Sequence, residues 1–138
     1  MEIAHQVSSC LNPEDFREIY EGHGHNPRIF LPVYVLNSDS IYFTDEKGNV
    51  GGLAGIQEDG CIWMLCTPVI YNNTSLFVRQ AKKWLDSRPH KILWNYMDKR
   101  NKTHAKLLRF LGFTFLRELP VGPNNLPFIE FVRCVPPS

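Results

Sequence analysis

The chain has 138 residues, 43% of them apolar and 12% aromatic, enough for one buried core and too few for two. No apolar run approaches the roughly 20 residues that a bilayer span needs. Four scattered cysteines (Cys10, Cys61, Cys66, Cys134), none at zinc-knuckle spacing, exclude a disulfide scaffold and argue for reduced thiols.

The start MEIAHQVSSC has no basic segment followed by an apolar stretch, so the expectation is a cytoplasmic protein. The formal net charge of +1 conceals a division. Residues 1–78 hold three basic and ten acidic side chains, whereas residues 79–109 hold ten basic ones and only Asp86 and Asp98. Residues 110–138 cancel. One contiguous segment is therefore suited to polyanions, and the first half to cationic groups.

In chain order, His5-Gln6-Val7 reads as a short first strand. Asn12-Pro13-Glu14-Asp15 is a helix start, with a cap, a proline in the first turn and two acids at the positive end of the dipole. That helix is expected to turn Phe16, Ile19 and Tyr20 inward and to stop at Gly22 or Gly24. Residues 22–39 carry two prolines and two glycines among apolar residues and read as a loop, with at most a short element inside it. Residues 40–44, 50–57 and 61–66 form three strands joined by turns at 45–49 and 58–60, an antiparallel meander. Residues 74–86 predict a helix with Phe77, Ala81, Trp84 and Leu85 at helical spacing, ended by Pro89. A buried strand over 91–97 and a second basic helix over 102–111, stopped by Gly112, come next. Strands at 113–116 and 128–132 flank a loop at 120–127, and Val135-Pro136-Pro137-Ser138 is a tail. Strand, helix, strand in the middle implies a parallel neighbour pair within an otherwise antiparallel sheet.

The most specific tract is Asn101-Lys102-Thr103-His104-Ala105-Lys106-Leu107-Leu108-Arg109-Phe110-Leu111-Gly112-Phe113. With the meander, helix and strand before it, this tract resembles the GCN5-related N-acetyltransferase (GNAT) superfamily, on Asn101, Leu107, Gly112 and Phe113. His104 and Leu108 depart from the pattern. Within that superfamily, Leu93-Trp94-Asn95-Tyr96, Thr103, His104 and Leu111-Gly112, with Trp63 and Tyr71, resemble the small internal virion proteins of short-tailed bacteriophages. The likeness covers about residues 40–134.

The resemblance implies an α+β, three-layer fold. It has a mixed, mostly antiparallel sheet of six to seven strands, splayed in the middle and flanked by three to four helices. One domain would comprise an acceptor side (1–39), the meander (40–71), a CoA-binding helix-strand-helix (72–112) and terminal strands (113–138). It also implies transfer of an acetyl group from acetyl-CoA to an amine, with no metal. The carrier would lie along Leu65 and Cys66, on the helix start at Asn72, Asn73, Thr74 and Ser75, and against Arg79, Asn101 and Lys106. A backbone N–H near Cys66 would polarise the carbonyl.

Some features speak for a fold that has lost its chemistry. No glycine occurs from 61 to 111, so Asn72 and Asn73 would have to supply the close phosphate approach through left-handed geometry. Leu108 stands where the superfamily often has a proton-donating tyrosine. The virion-protein likeness then implies a role in assembly, with a phage or host protein as partner and the host cytoplasm as location.

Candidate catalytic side chains each have a plainer reading. His23 and His25, in Glu21-Gly22-His23-Gly24-His25, suit a base near neutral pH or a metal pair lacking further ligands. Tyr71 suits a proton donor or packing. Glu58 suits a proton relay or an ordinary Glu-Asp-Gly turn. Asn101 suits a pantetheine contact or a helix cap, and His104, beside Leu107 and Leu111, a structural histidine. Nucleic-acid binding is disfavoured because Trp84, Trp94 and Tyr96 fall at core spacing.

Overall fold

The computed structural model describes residues 2–134, so the expected tail at 135–138 lies outside the described residues. Helices α1 (Glu2–Ser9), α2 (Pro13–Arg17), a π-helical turn (Glu18–Gly22) and α3 (Pro27–Leu36) come first. The meander follows as β1 (Asp39–Thr44), β2 (Val50–Ile56) and β3 (Ile62–Cys66). A 3-10 turn (Pro68–Asn72) leads into α4 (Thr74–Asp86), β4 (Ile92–Asp98), α5 (Lys102–Phe110), β5 (Thr114–Val121) and β6 (Leu126–Cys134). No helix among the described residues is long and apolar enough to cross a membrane.

Six strands form two antiparallel sheets of three, in the orders β1-β2-β3 and β4-β6-β5. The expected parallel neighbour pair shrinks to one bridge, between Cys61 and Trp94. Trp94 N–H donates to the Gly60 carbonyl at 3.1 Å, and the Asn95 amide donates to the Ile62 carbonyl at 2.6 Å. Past that junction no ladder pair joins β3 to β4 among the described residues, so the sheet is splayed.

Strand alternation gives β3 two faces. Met64 and Cys66 pack with Phe77, Leu93, Met97, Leu107 and Phe131 beneath α4 and α5. Trp63 and Leu65 pack with Ala4, Val7, Leu31, Val50 and Leu53 under α1 and α3. Sandwiched strands bury both faces, and every residue of β2 and β3 is buried.

Several sequence expectations fail at the edges. Residues 5–7 lie in α1, not a strand, because Ala4 and Val7 recur at helical spacing and bury against the meander. Residues 27–36 are a ten-residue helix, which brings the helices beyond the expected three to four. Asn26 caps it by accepting the Arg28 N–H at 3.0 Å, and Pro27 fits its first turn. Half of the loop expected at 120–127 is strand, because Pro120 and Val121 pair with Pro127 and Leu126 and only the four-residue turn at 122–125 remains.

Gly60 holds the junction of the two sheets. Its φ is +89°, and a β-carbon there would meet the Ile92 carbonyl oxygen at 2.5 Å. Gly48 has a similar φ of +84° but open space around it. Gly48→Ala should therefore cost only backbone strain, about 1 kcal/mol. Gly60→Ala should cost about 2–4 kcal/mol, because the carbonyl must also move. Urea unfolding of both variants checks this difference.

Candidate functional site

The splay is filled from the α2 side. Asp15 and Glu18 lie three residues apart on a continuous helical stretch and so share a face, which turns into the gap. Asp15 Oδ2 accepts the Cys66 N–H at 2.8 Å, and its Oδ1 accepts the Asn101 side-chain amide at 2.7 Å. Asn12 N–H donates to the Cys66 carbonyl at 2.9 Å. Glu18 Oε1 accepts the Asp98 N–H at 2.8 Å. Each diverging strand thus ends on a carboxylate.

This reverses the expected face of the helix. Phe16 and Tyr20 are 39% and 58% exposed and stack on each other outside, whereas only Ile19 turns inward as expected. Strand ends that leave the ladder present unpaired amides, and a carboxylate can satisfy them where an aromatic ring cannot.

Two cavities flank the gap. A cleft of about 640 Å³ between α4 and α5 is lined by Met64, Cys66, Ile70, Val78, Leu107 and Phe110, with Tyr71, Thr74, Ser75, Arg79 and Lys106 among its polar groups. A smaller cavity of about 240 Å³ is walled by Tyr34, Trp63, Tyr96 and Phe131, with Glu18 and His23. Met64 and His104 belong to the walls of both.

His104 is buried, and its Nδ1 lies 3.7 Å from Glu18 Oε1, too far for a hydrogen bond and with no other partner. Burial pulls its pKa down, but Glu18 and then Asp15 outweigh it, and the net direction is up. Asp15 is pushed up to about 6, chiefly by burial and further by Glu18, against the lowering pull of His104 and of its amide donors. Burial holds His23 below the ordinary histidine value. Burial also raises the Cys66 thiol and pushes Cys61 to about 11, so neither is a thiolate at neutral pH. Burial opposes ionisation of Asp98, but Arg100, 2.7 Å away, outweighs it and lowers that pKa.

The sequence-predicted residues divide. Cys66, Tyr71, Thr74, Ser75, Arg79, Asn101 and Lys106 line the cleft, whereas Leu65 and His23 line the smaller cavity. Glu58 sits exposed in the turn before β3 and lines neither, and His25 stacks on Phe30 at 3.9 Å. Asn72 and Asn73 also stay off the cleft wall; Asn73 caps α4 through the Leu76 N–H at 3.3 Å. Neither is left-handed, because the 3-10 turn delivers the chain to α4 without a positive φ. Asn101 is a cap, accepting the His104 N–H at 3.1 Å, and its amide is engaged by Asp15. The Cys66 N–H expected to polarise a carbonyl is engaged likewise. Among the described residues no three His, Cys, Asp or Glu side chains gather as a metal-holding group.

Three of the ten cations of the basic segment are engaged away from the cleft. Arg88 pairs with Asp39 at 2.6 Å, Lys99 with Glu118 at 3.0 Å, and Arg100 with Asp98 and Glu21 at 2.7 and 3.0 Å. Arg79 and Lys106 are the basic residues that line the cleft among the described residues. Asp15 and Glu18 are the site residues that sequence reasoning missed, and His104 is one that it weighed and read as structural.

The architecture is shared with solved acetyltransferases. Superposition on yncA of Salmonella typhimurium, assigned as an acetyltransferase and solved with its cofactor acetyl-CoA, gives a TM-score of 0.69 at 12% identity, over 99% of this chain and 91% of that one. A GNAT-family acetyltransferase from Bacillus anthracis gives 0.67 at 12% identity, over 96% and 87%. A mutant spermidine N-acetyltransferase SpeG from Vibrio cholerae gives 0.57 at 10%, over 78% and 72%. No family model matches the sequence, and no curated protein does. The chain has the GNAT fold. At these identities the likeness is one of fold, and it carries nothing on virion assembly.

Asp15 makes stability depend on pH. Its folded pKa of about 6 exceeds the unfolded 3.8, so its contribution is full below 3.8 and is lost as pH rises through about 6. The gap corresponds to at most about 3 kcal/mol. Asp15→Asn should lack this decline, so the variant should gain on the wild type between pH 4 and 6.5, as read by urea unfolding at each pH.

Proposed function

We propose that the protein is an acyl-CoA-dependent N-acyltransferase, with acetyl-CoA as one substrate in the cleft and a primary amine as the other in the smaller cavity. The observation that carries this reading is the pair of cavities with a common wall at Met64 and His104. Two compartments that meet at one wall suit a reaction in which a group passes from one molecule to another.

The cleft fits such a carrier in character. Its wall is mainly apolar, as a pantetheine stem needs, and Arg79 and Lys106 offer cations to phosphates. The smaller cavity suits an alkylammonium side chain, since Tyr34, Trp63 and Tyr96 present aromatic faces and Glu18 a carboxylate. With Cys61 and Cys66 held as thiols, direct attack by the amine is favoured over an acyl-cysteine intermediate. The Cys66 N–H is available to a thioester carbonyl only when Asp15 leaves it.

That last point favours a second reading. Cys66 has both its N–H and its carbonyl paired inside the chain, by Asp15 and Asn12. A GNAT fold sealed in this way would serve as a non-catalytic binding module, for instance in virion assembly with a phage or host protein as partner.

Isothermal titration and a turnover assay separate the two. The acyltransferase reading expects acetyl-CoA to bind and acetylated amine to accumulate with a lysine or polyamine acceptor. Asp15→Ala should bind acetyl-CoA several-fold more tightly, because it uncovers the Cys66 N–H. Charge reversal at Arg79 and Lys106 together should weaken binding about tenfold or more. No binding at millimolar acetyl-CoA, in wild type and Asp15→Ala alike, would leave the binding-module reading.

A further inference from the structure

We infer that His104, standing beside Glu18 at the wall common to both cavities, is the group that delivers a proton to the leaving thiolate during acyl transfer; this rests on the acyltransferase reading above. Three observations converge on it. Among the described residues His104 is the one titratable side chain that walls both cavities, so it stands where two substrates would meet. Its Nδ1 is buried without a hydrogen-bond partner, which is costly for a ring that does nothing else. Glu18 Oε1 lies 3.7 Å from that nitrogen, near enough to stabilise an imidazolium but not bonded to it.

The surroundings are consistent with a charged ring. The π turn contributes Glu18 and α2 contributes Asp15, both buried carboxylates. β3 contributes the Cys66 thiol and β4 the Tyr96 hydroxyl, while Arg79 of α4 and Lys106 of α5 itself lie along the cleft wall. Phe131 of β6 meets the ring edge-on at 6.3 Å and adds no charge. Asn101 fixes the first turn of α5 by accepting the His104 N–H, so the ring stands on a rigid element.

The step balances. The amine, having lost its ammonium proton to solvent, bonds through its free nitrogen to the acetyl carbonyl carbon, and the carbon–sulfur bond breaks with its electron pair on sulfur. His104 gives its proton to that sulfur, producing a free thiol. The proton shed by the new amide nitrogen returns to the neutral imidazole beside Glu18, and the pair ends as it began. A thiol near its ordinary pKa of about 8.5 gains from such donation at neutral pH.

The test combines a titration of the protein alone with kinetics. The imidazole of His104, followed by NMR without any substrate, should titrate above the ordinary 6.5, and Glu18→Gln should move it down. His104→Gln should lower kcat for acetyl-CoA and an amine about a hundredfold, with acetyl-CoA affinity unchanged within about twofold. Wild-type kcat should fall on the alkaline side as the ring loses its proton, and Glu18→Gln should shift that limb to lower pH. A His104 that titrates at or below the ordinary value, or a His104→Gln enzyme within about threefold of wild type, overturns the assignment while leaving acyl transfer intact. Absence of acetyl transfer by the unaltered protein removes both.

Discussion

A buried carboxylate between two parting strands governs this molecule. Asp15 holds Cys66 N–H and Asn101 at once, joining the end of β3 to the start of α5 across the splay. Splitting a sheet strands backbone amides in a dry interior, each worth about 1–3 kcal/mol if unpaired. The chain answers with Asp15 on one strand and Glu18 on the other, so the helical stretch from Pro13 to Gly22 is pinned by polar bonds rather than by its aromatic residues. That solution leaves acid groups where apolar packing would otherwise lie, and their charges in turn set the state of His104.

The gap therefore has two chemistries in one place. On one side it is mainly apolar with two cations in the wall, and on the other aromatic with a carboxylate. A histidine that adjoins both and is biased towards its charged form differs in kind from His25, stacked on Phe30 away from both cavities, or from the Glu58 turn, where residue type alone suggested chemistry. Position in the splay, not residue type, separates these candidates.

Much of the architecture was legible in the chain. β2, β3 and α4 follow from strict patterns: sandwiched apolar strands, and Phe77, Ala81, Trp84 and Leu85 at helical spacing. Gly112, with φ of +88°, stops α5 as its position implies. α3 was hidden because Pro27 and Pro32 read as breakers, although Pro27 occupies the first turn, where its missing N–H costs nothing. The inward face of α2 was illegible for a different reason. Apolar periodicity assumes that burial follows hydrophobicity, and here the partners of Asp15 are Cys66 and Asn101, 51 and 86 residues away. The charge block at 79–109 was legible as composition but misleading as a surface, because only Arg79 and Lys106 of its ten cations line the cleft, and three others pair with Asp39, Asp98 and Glu118. Among the cofactor candidates, Thr74, Ser75, Arg79, Asn101 and Lys106 come together because two helices beginning after neighbouring strand ends must converge there.

The central claim is that the splay sealed by Asp15 is the seat of a phosphorylated thioester carrier. Backbone amide NMR during an acetyl-CoA titration addresses it most directly. The resonances of Cys66 and Asp98 should shift together with those at the start of α4, as the carboxylates yield the strand ends to the newcomer. Saturating acetyl-CoA that leaves the Cys66 and Asp98 amides where they were would contradict it.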